Sequence, residues 1–233
     1  MNDQRFRLTR RLMLMGGVAV AGTALTRSAA AILGPGAPTV ALSPDEVAPP
    51  LPEVEPAAPA FAGSNLDPRL MRGALGALQK HAAYIPKRDR IAIVDFSAPS
   101  SESRLHFLDV VSGATSRLLV THGSGSDPSH TGLLQRFSNS PGSNATSEGA
   151  YVTTNYYVGK HGPSQRLIGL DPTNNNALDR AIVLHSAWYA NADMLPSHGK
   201  LGRSQGCFAV GEDKLDELFG FLGEGRMIYA AKV

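Results

Sequence analysis

The first sustained helical pattern starts at Asp67-Pro68. Leu70, Met71, Ala74, Leu75, Leu78 and Ala82 recur at three- and four-residue spacing, which predicts one amphipathic helix over 67–84. Asp67 is a suitable N-cap and Pro68 suits the first helical position, where a missing N–H costs nothing; Pro86 marks the stop. From residue 90 the pattern changes to short apolar runs and alternation. The stretches 90–96 (R-I-A-I-V-D-F), 104–111 (R-L-H-F-L-D-V-V) and 116–122 (S-R-L-L-V-T-H) predict an antiparallel meander, separated as they are by serine-, proline- and glycine-bearing turns. A long polar tract follows to Gly149. Further strands are predicted at 149–157, 166–170, 181–184, 208–210 and 226–232, with a short helical turn at 177–180. Leu215, Leu218, Phe219 and Leu222 return to helical spacing within 212–222. This order fits a mainly β domain, a sandwich or partly open barrel with peripheral helices.

The chain before residue 64 reads differently. Arg5, Arg7, Arg10 and Arg11 precede an apolar, small-residue stretch over 12–25, and Ser28-Ala29-Ala30-Ala31 follows. That is the pattern of an export signal over 1–31, too short in its apolar part to span a bilayer comfortably. Thr9-Arg10-Arg11-Leu12-Met13-Leu14 resembles the bacterial twin-arginine signal, departing from it at Met13 and Met15; a general secretory signal is the competing reading. No cysteine follows the apolar run, which excludes a lipid-anchored form. Residues 32–63 are rich in proline and alanine and read as an extended tether. The body is then 64–233, and the mature protein is expected in the periplasm.

Charge changes the picture once the leader is set aside. The whole chain carries a formal +2, but residues 1–31 hold five arginines and one aspartate, and the remainder has 17 basic against 19 acidic residues. Nothing in that balance points to nucleic acid.

The chemistry concentrates between His185 and Cys207. The run Ala181-Ile182-Val183-Leu184 delivers a histidine at the end of a strand, and the only cysteine of the chain lies beyond a glycine-bearing loop. A thiol attacks as thiolate and a neighbouring imidazole can take its proton, so Cys207 and His185 form a candidate nucleophile and base. The competing reading is a buried structural cysteine. An unpaired thiol in an oxidising compartment asks for a reason, and chemistry is one. Three other readings weigh less. Ser197-His198-Gly199-Lys200 fits an S-x-x-K string, but Pro196, Gly199 and Gly202 argue for loop where that chemistry needs a helical turn. The run His122-Gly123-Ser124-Gly125-Ser126-Asp127 lacks the lysine and following helix of a phosphate loop. His122, His130, His185 and His198 show no zinc-ligand spacing. His122 and His130 are also candidates to face a cleft, although single loop histidines are usually surface residues.

Seven pieces in order, H-G-S-G-S, F-S-N-S-P-G-S, S-E-G-A-Y, Y-V-G-K-H-G, R-L-I-G-L, A-I-V-L-H-S-A-W-Y and G-R-S-Q-G-C-F-A-V, resemble the L,D-transpeptidases of bacterial cell walls, in the variant group with a Ser-x-Gly-Cys motif. They cover roughly 88–233. The resemblance implies Cys207 as acylated nucleophile, His185 as general base, Ser186 as the carbonyl that orients the imidazole, and Gly206 and Cys207 as oxyanion-hole amides, with Ser204 the serine of the motif. By position, Tyr157, Lys160, His161, Arg166, Trp188 and Arg203 are candidates to line the substrate site. Gln205 replaces the histidine that precedes Gly-Cys in the common enzymes, and Ala209 stands near their arginine. The implied reaction takes a peptidoglycan stem tetrapeptide, expels D-alanine and passes the acyl group to a peptide or protein amine, or to water in a carboxypeptidase or endopeptidase variant. It implies no metal or organic cofactor. A monomer is expected, and a non-catalytic wall-binding module is the rival outside enzymology.

Overall fold

The computed structural model describes residues 65–233; the expected export signal and tether lie outside the described residues. The elements are α1 (Pro68–Lys80), β1 (Arg90–Asp95), β2 (Leu105–Asp109), β3 (Thr115–Leu118), β4 (Gly149–Gly159), β5 (Gly162–Gly169), β6 (Val183–Ser186), α2 (Met194–His198), β7 (Phe208–Val210), α3 (Leu215–Leu222) and β8 (Met227–Ala231). The strands form one sheet in the order β3-β2-β1-β8-β4-β5-β6-β7. Pairing is antiparallel except for β1 with β8 and β6 with β7.

The ladder is not closed, yet its two ends approach each other. The chain leaving β3 runs back along β7: Thr121 N donates to Ala209 O at 2.9 Å, Ser124 N to Ser204 O at 2.8 Å and Ser204 N to His122 O at 3.0 Å. Of the two expected forms, the partly open barrel describes this curled single sheet better than a sandwich of two sheets.

Both faces of the central strands are buried, which is why β1 reads as a continuous apolar run. Ala92 and Val94 of β1 and Ile228 and Ala230 of β8 face one core with Tyr151, Leu184, Phe208 and the Leu215, Leu218 and Leu222 stripe of α3. Ile91, Ile93, Met227 and Ala231 face the other core with Leu70, Met71, Ala74 and Leu78 of α1. Asp67 caps α1 as expected, accepting from Arg69 N at 2.7 Å.

Four local expectations are corrected. α1 ends at Lys80 and the remainder of the expected helix is a 3-10 turn at Ala82–Tyr84. β3 stops at Leu118, because Val120 turns its carbonyl to the buried Arg104 guanidinium, which donates to it from Nε and Nη2 at 3.1 and 3.0 Å. β5 begins at Gly162 and makes a long hairpin with β4, bulged between Thr153 and Tyr156. The segment expected as loop around Pro196 contains α2, a single short helix in which proline sits within the first turn and Gly199, at φ +68°, closes the end.

Candidate active site

The parallel pairing of β6 with β7 decides which side chains meet. Leu184 lies opposite Phe208 and His185 opposite Ala209. Side chains alternate along each strand, and Leu184 and Phe208 point into the core, so His185 and Cys207 share the other face. That face opens on a cleft of about 500 Å³ lined by both residues together with Tyr157, Lys160, His161, Arg180, Tyr189, Arg203 and Ser204. A larger depression of about 600 Å³, between Pro86, Val152, Asn155 and Glu224, is lined by neither Cys207 nor His185.

His185 Nδ1 lies 2.9 Å from Ser186 O. A carbonyl can only accept, so the ring proton sits on Nδ1 and Nε2 carries the free lone pair, the arrangement a general base needs. Burial first pulls the imidazole down to about 4; the bond to Ser186 O opposes that, while His161 and Lys160 add to it. His161 stacks on His185 with ring centroids 4.3 Å apart at 22°. It is itself held below the usual histidine range by burial and then by Lys160.

Cys207 is 9% exposed, and its thiol donates to Ala181 O at 3.5 Å. Burial pushes the thiol up; the Val183 amide and the charges of Lys160 and Arg180 oppose that. Both shifts favour neutral partners. The resting pair is therefore thiol and imidazole, so a thiolate could form here only by giving up its proton.

The turn carrying the sulfur is held by its neighbours. Ser204 Oγ donates to Cys207 O at 2.7 Å and accepts from Gly206 N at 3.1 Å. The Gly206 amide, expected to serve an oxyanion, is engaged by Ser204 Oγ in this structure. Gly206 has φ +113°, and a Cβ there would lie 2.7 Å from Ala145 O and 2.7 Å from Ile182 Cδ1, so only glycine fits. Thr146 Oγ1 donates to Gly206 O at 3.2 Å and accepts from Gly123 N at 2.9 Å. The H-G-S-G-S stretch and the polar tract therefore pack directly under the cysteine turn.

Of the residues expected by position at a substrate site, Tyr157, Lys160, His161 and Arg203 line the cleft. Arg203 also donates to Asp127 O and, at 3.1 Å, to Pro128 O. Arg166 is outside the lining and lies over the Tyr157 ring at 4.2 Å. Trp188 is also outside it, 66% exposed, with its edge toward Tyr189.

Among the lining residues outside the expected set, Tyr189 and Arg180 carry polar side chains of consequence. Tyr189 has its hydroxyl pushed up to about 12 by burial and then by Cys207. Arg180 donates to Ser138 O at 2.8 Å, Ser147 Oγ at 2.9 Å, Ser143 Oγ at 3.2 Å and Ala145 O, tying the polar tract to the cleft wall. Tyr189 closes the piece A-I-V-L-H-S-A-W-Y but carried no expected role there, and Arg180 lies one residue before it.

His122 faces no cleft and is not at the surface. It is buried, Nδ1 accepting from Arg104 Nη2 at 2.7 Å and Nε2–H directed at Asp127 Oδ2 at 3.4 Å, so it braces the scaffold. His130 Nε2 meets Leu201 O at 3.0 Å. Ser197 lies in α2 with Lys200 beyond its glycine stop, and its hydroxyl bonds back to Asp193 O at 3.1 Å. Among the described residues no three His, Cys, Asp or Glu side chains gather as a metal would require.

The family profile of the L,D-transpeptidase catalytic domain matches residues 62–231, and the chain belongs to that family. No match was found among curated proteins. Among solved structures the chain is similar to the L,D-transpeptidase LdtMt1 in complex with imipenem, at 13% identity over 61% of this chain and 59% of that one, TM-score 0.37. It is also similar to an L,D-transpeptidase from Mycobacterium smegmatis, at 12% identity over 61% and 58%, TM-score 0.38. A third is an L,D-transpeptidase from Mycobacterium tuberculosis H37Rv, at 14% identity over 61% and 57%, TM-score 0.34. The chain spans under three fifths of the length of each of these structures.

Proposed function

We propose that this chain is a peptidoglycan L,D-transpeptidase that works by cysteine acyl transfer in the periplasm. The observation that supports this most is the pairing of Cys207 and His185 on one cleft-facing side of adjacent strands, with the histidine proton held on Nδ1. In this reading Nε2 of His185 takes the thiol proton as the sulfur adds to the stem-tetrapeptide carbonyl. The Cys207 amide faces the developing oxyanion. The carbon–nitrogen bond to D-alanine breaks, the amine leaves with the proton from His185, and a thioester remains. An acceptor amine then forms a new amide and releases the thiol; water in its place gives a carboxypeptidase.

A carbapenem tests the nucleophile directly. Mass spectrometry of the treated protein should show the intact carbapenem mass on the peptide containing Cys207. Cys207→Ala should lose the adduct and keep a nearly unchanged thermal midpoint. A native protein that stays unmodified refutes the proposal.

A further inference from the structure

The β4–β5 hairpin ends at the cleft. Gly159 pairs with Gly162, and Lys160 and His161 form the two-residue tip between them. Ser164 of β5 lies opposite His185 of β6, so the hairpin runs beside the histidine and its tip projects just past the end of β6. The tip rests on Tyr157: the Gly159 backbone lies against that ring, where a Cβ would come within 2.7 Å of Cε2, and Arg166 lies over the same ring at 4.2 Å. His161 is exposed, yet its ring stacks on His185, which is 1% exposed, at 4.3 Å between centroids and 22° between planes.

One hydrogen bond does not fix an imidazole. The contact of Nδ1 with Ser186 O holds one edge of the His185 ring, but the Cβ–Cγ torsion of histidine has a broad well, and the plane can rock about that bond. A second ring lying on its face removes that freedom and keeps water off that face. The rings are nearly parallel, so their in-plane nitrogens do not point at each other and the stack is no path for a proton. We propose that His161 is a positioning residue for the general base: its imidazole, carried on the hairpin tip, fixes the plane of His185 so that Nε2 faces the Cys207 thiol, and covers the ring against water. This rests on the acyl-transfer reading above, and it assigns His161 to the base rather than to the substrate.

The cover sets the acid limb of the reaction. His185 is faced from the hairpin by Tyr157, Lys160 and His161, from the segments flanking β6 by Arg180 and Tyr189, and from the turn before β7 by Arg203 and Cys207. No carboxylate lines that space among the described residues. Burial first, and then the nearby cations, favour the neutral imidazole. Removing the cover admits water and lets His185 titrate closer to its ordinary value of about 6.5, while Lys160, Arg180 and Arg203 stay.

The test is acylation of the full chain by a carbapenem, followed by mass spectrometry over a range of pH and carbapenem concentration, so that the limiting rate and the half-saturating concentration are read separately. His161→Ala should lower the limiting rate roughly ten-fold, leave the half-saturating concentration nearly unchanged, and move the acid limb up by about one to two pH units. His161→Phe should recover the acid limb and most of the rate, because a phenyl ring stacks and covers as an imidazole does. A native limiting rate and acid limb in His161→Ala overturn the assignment. So does a change confined to the half-saturating concentration, which makes His161 a substrate contact, and so does a phenylalanine variant no better than the alanine one. In each of these cases the native chain still acylates, and the acyl-transfer reading stands. A native chain that forms no adduct overturns both.

Discussion

Ser204→Ala is the change that best separates holding the nucleophile from being it. The Ser204 hydroxyl makes no hydrogen bond to the Cys207 thiol; it joins Gly206 N to Cys207 O across the turn, at 3.1 and 2.7 Å, and Ser204 is 4% exposed. Removing it leaves Gly206 N and Cys207 O buried and unpaired, at about 1–3 kcal/mol each. The Gly206 carbonyl is not among them, because Thr146 still holds it. The expected loss is about 2–6 kcal/mol of folding stability. Urea unfolding measures it, from the midpoint at constant slope. The same variant, studied where it remains folded, should acylate with a carbapenem at least about ten-fold more slowly, since a misplaced nucleophile of this kind loses factors of that order. A variant within about 0.5 kcal/mol of native that is acylated at the native rate would refute the positioning argument. Faster acylation would refute it differently, by showing that the freed Gly206 amide serves the oxyanion.

Gly206→Ala should be more damaging, because its Cβ would meet backbone and side chain at 2.7 Å in a conformation that L residues avoid; native labelling of its thiol would contradict the geometry. Stability should also fall with acid in a defined window. His106, His122 and His185 are each pulled down to about 4, by burial first, whereas an unfolded histidine titrates near 6.5. The contribution is therefore complete above about 6.5 and is lost as pH falls toward about 4, by up to about 1.4 kcal/mol per pH unit for each histidine. Denaturant midpoints at pH 7.5, 6 and 5 measure this, and equal midpoints contradict it. Acylation per folded molecule should nonetheless hold to about pH 5, since His185 stays unprotonated; a rate that falls with an apparent pKa near 6.5 would contradict the burial argument.

Much of the secondary structure was legible because each element carries its own period. The helix cap at Asp67, the apolar stripe of α3 and the run of β1 needed no partner to be recognised. Boundaries failed where a distant group competes for the backbone. β3 ends early because Arg104 takes the carbonyl of Val120. α2 was hidden because Pro196 and Gly199 read as breakers, when one fits within the first turn of a helix and the other ends it. The strand order was not legible: β8, last in the chain, lies between β1 and β4, and long-range pairing leaves no local pattern.

The sequence by itself picked out the two candidate groups, a solitary thiol after a glycine and a histidine at the end of an apolar strand, because their chemistry is a property of residue type and immediate context. Only the tertiary structure decided that they face the same space, since that depends on the parallel register of β6 and β7, where a shift of one residue would turn them to opposite faces. It also decided their resting charge, brought in Arg180 and Tyr189, and left Trp188 outside the cleft. Burial and proximity are sums over residues far apart in the chain, and no local stretch contains them.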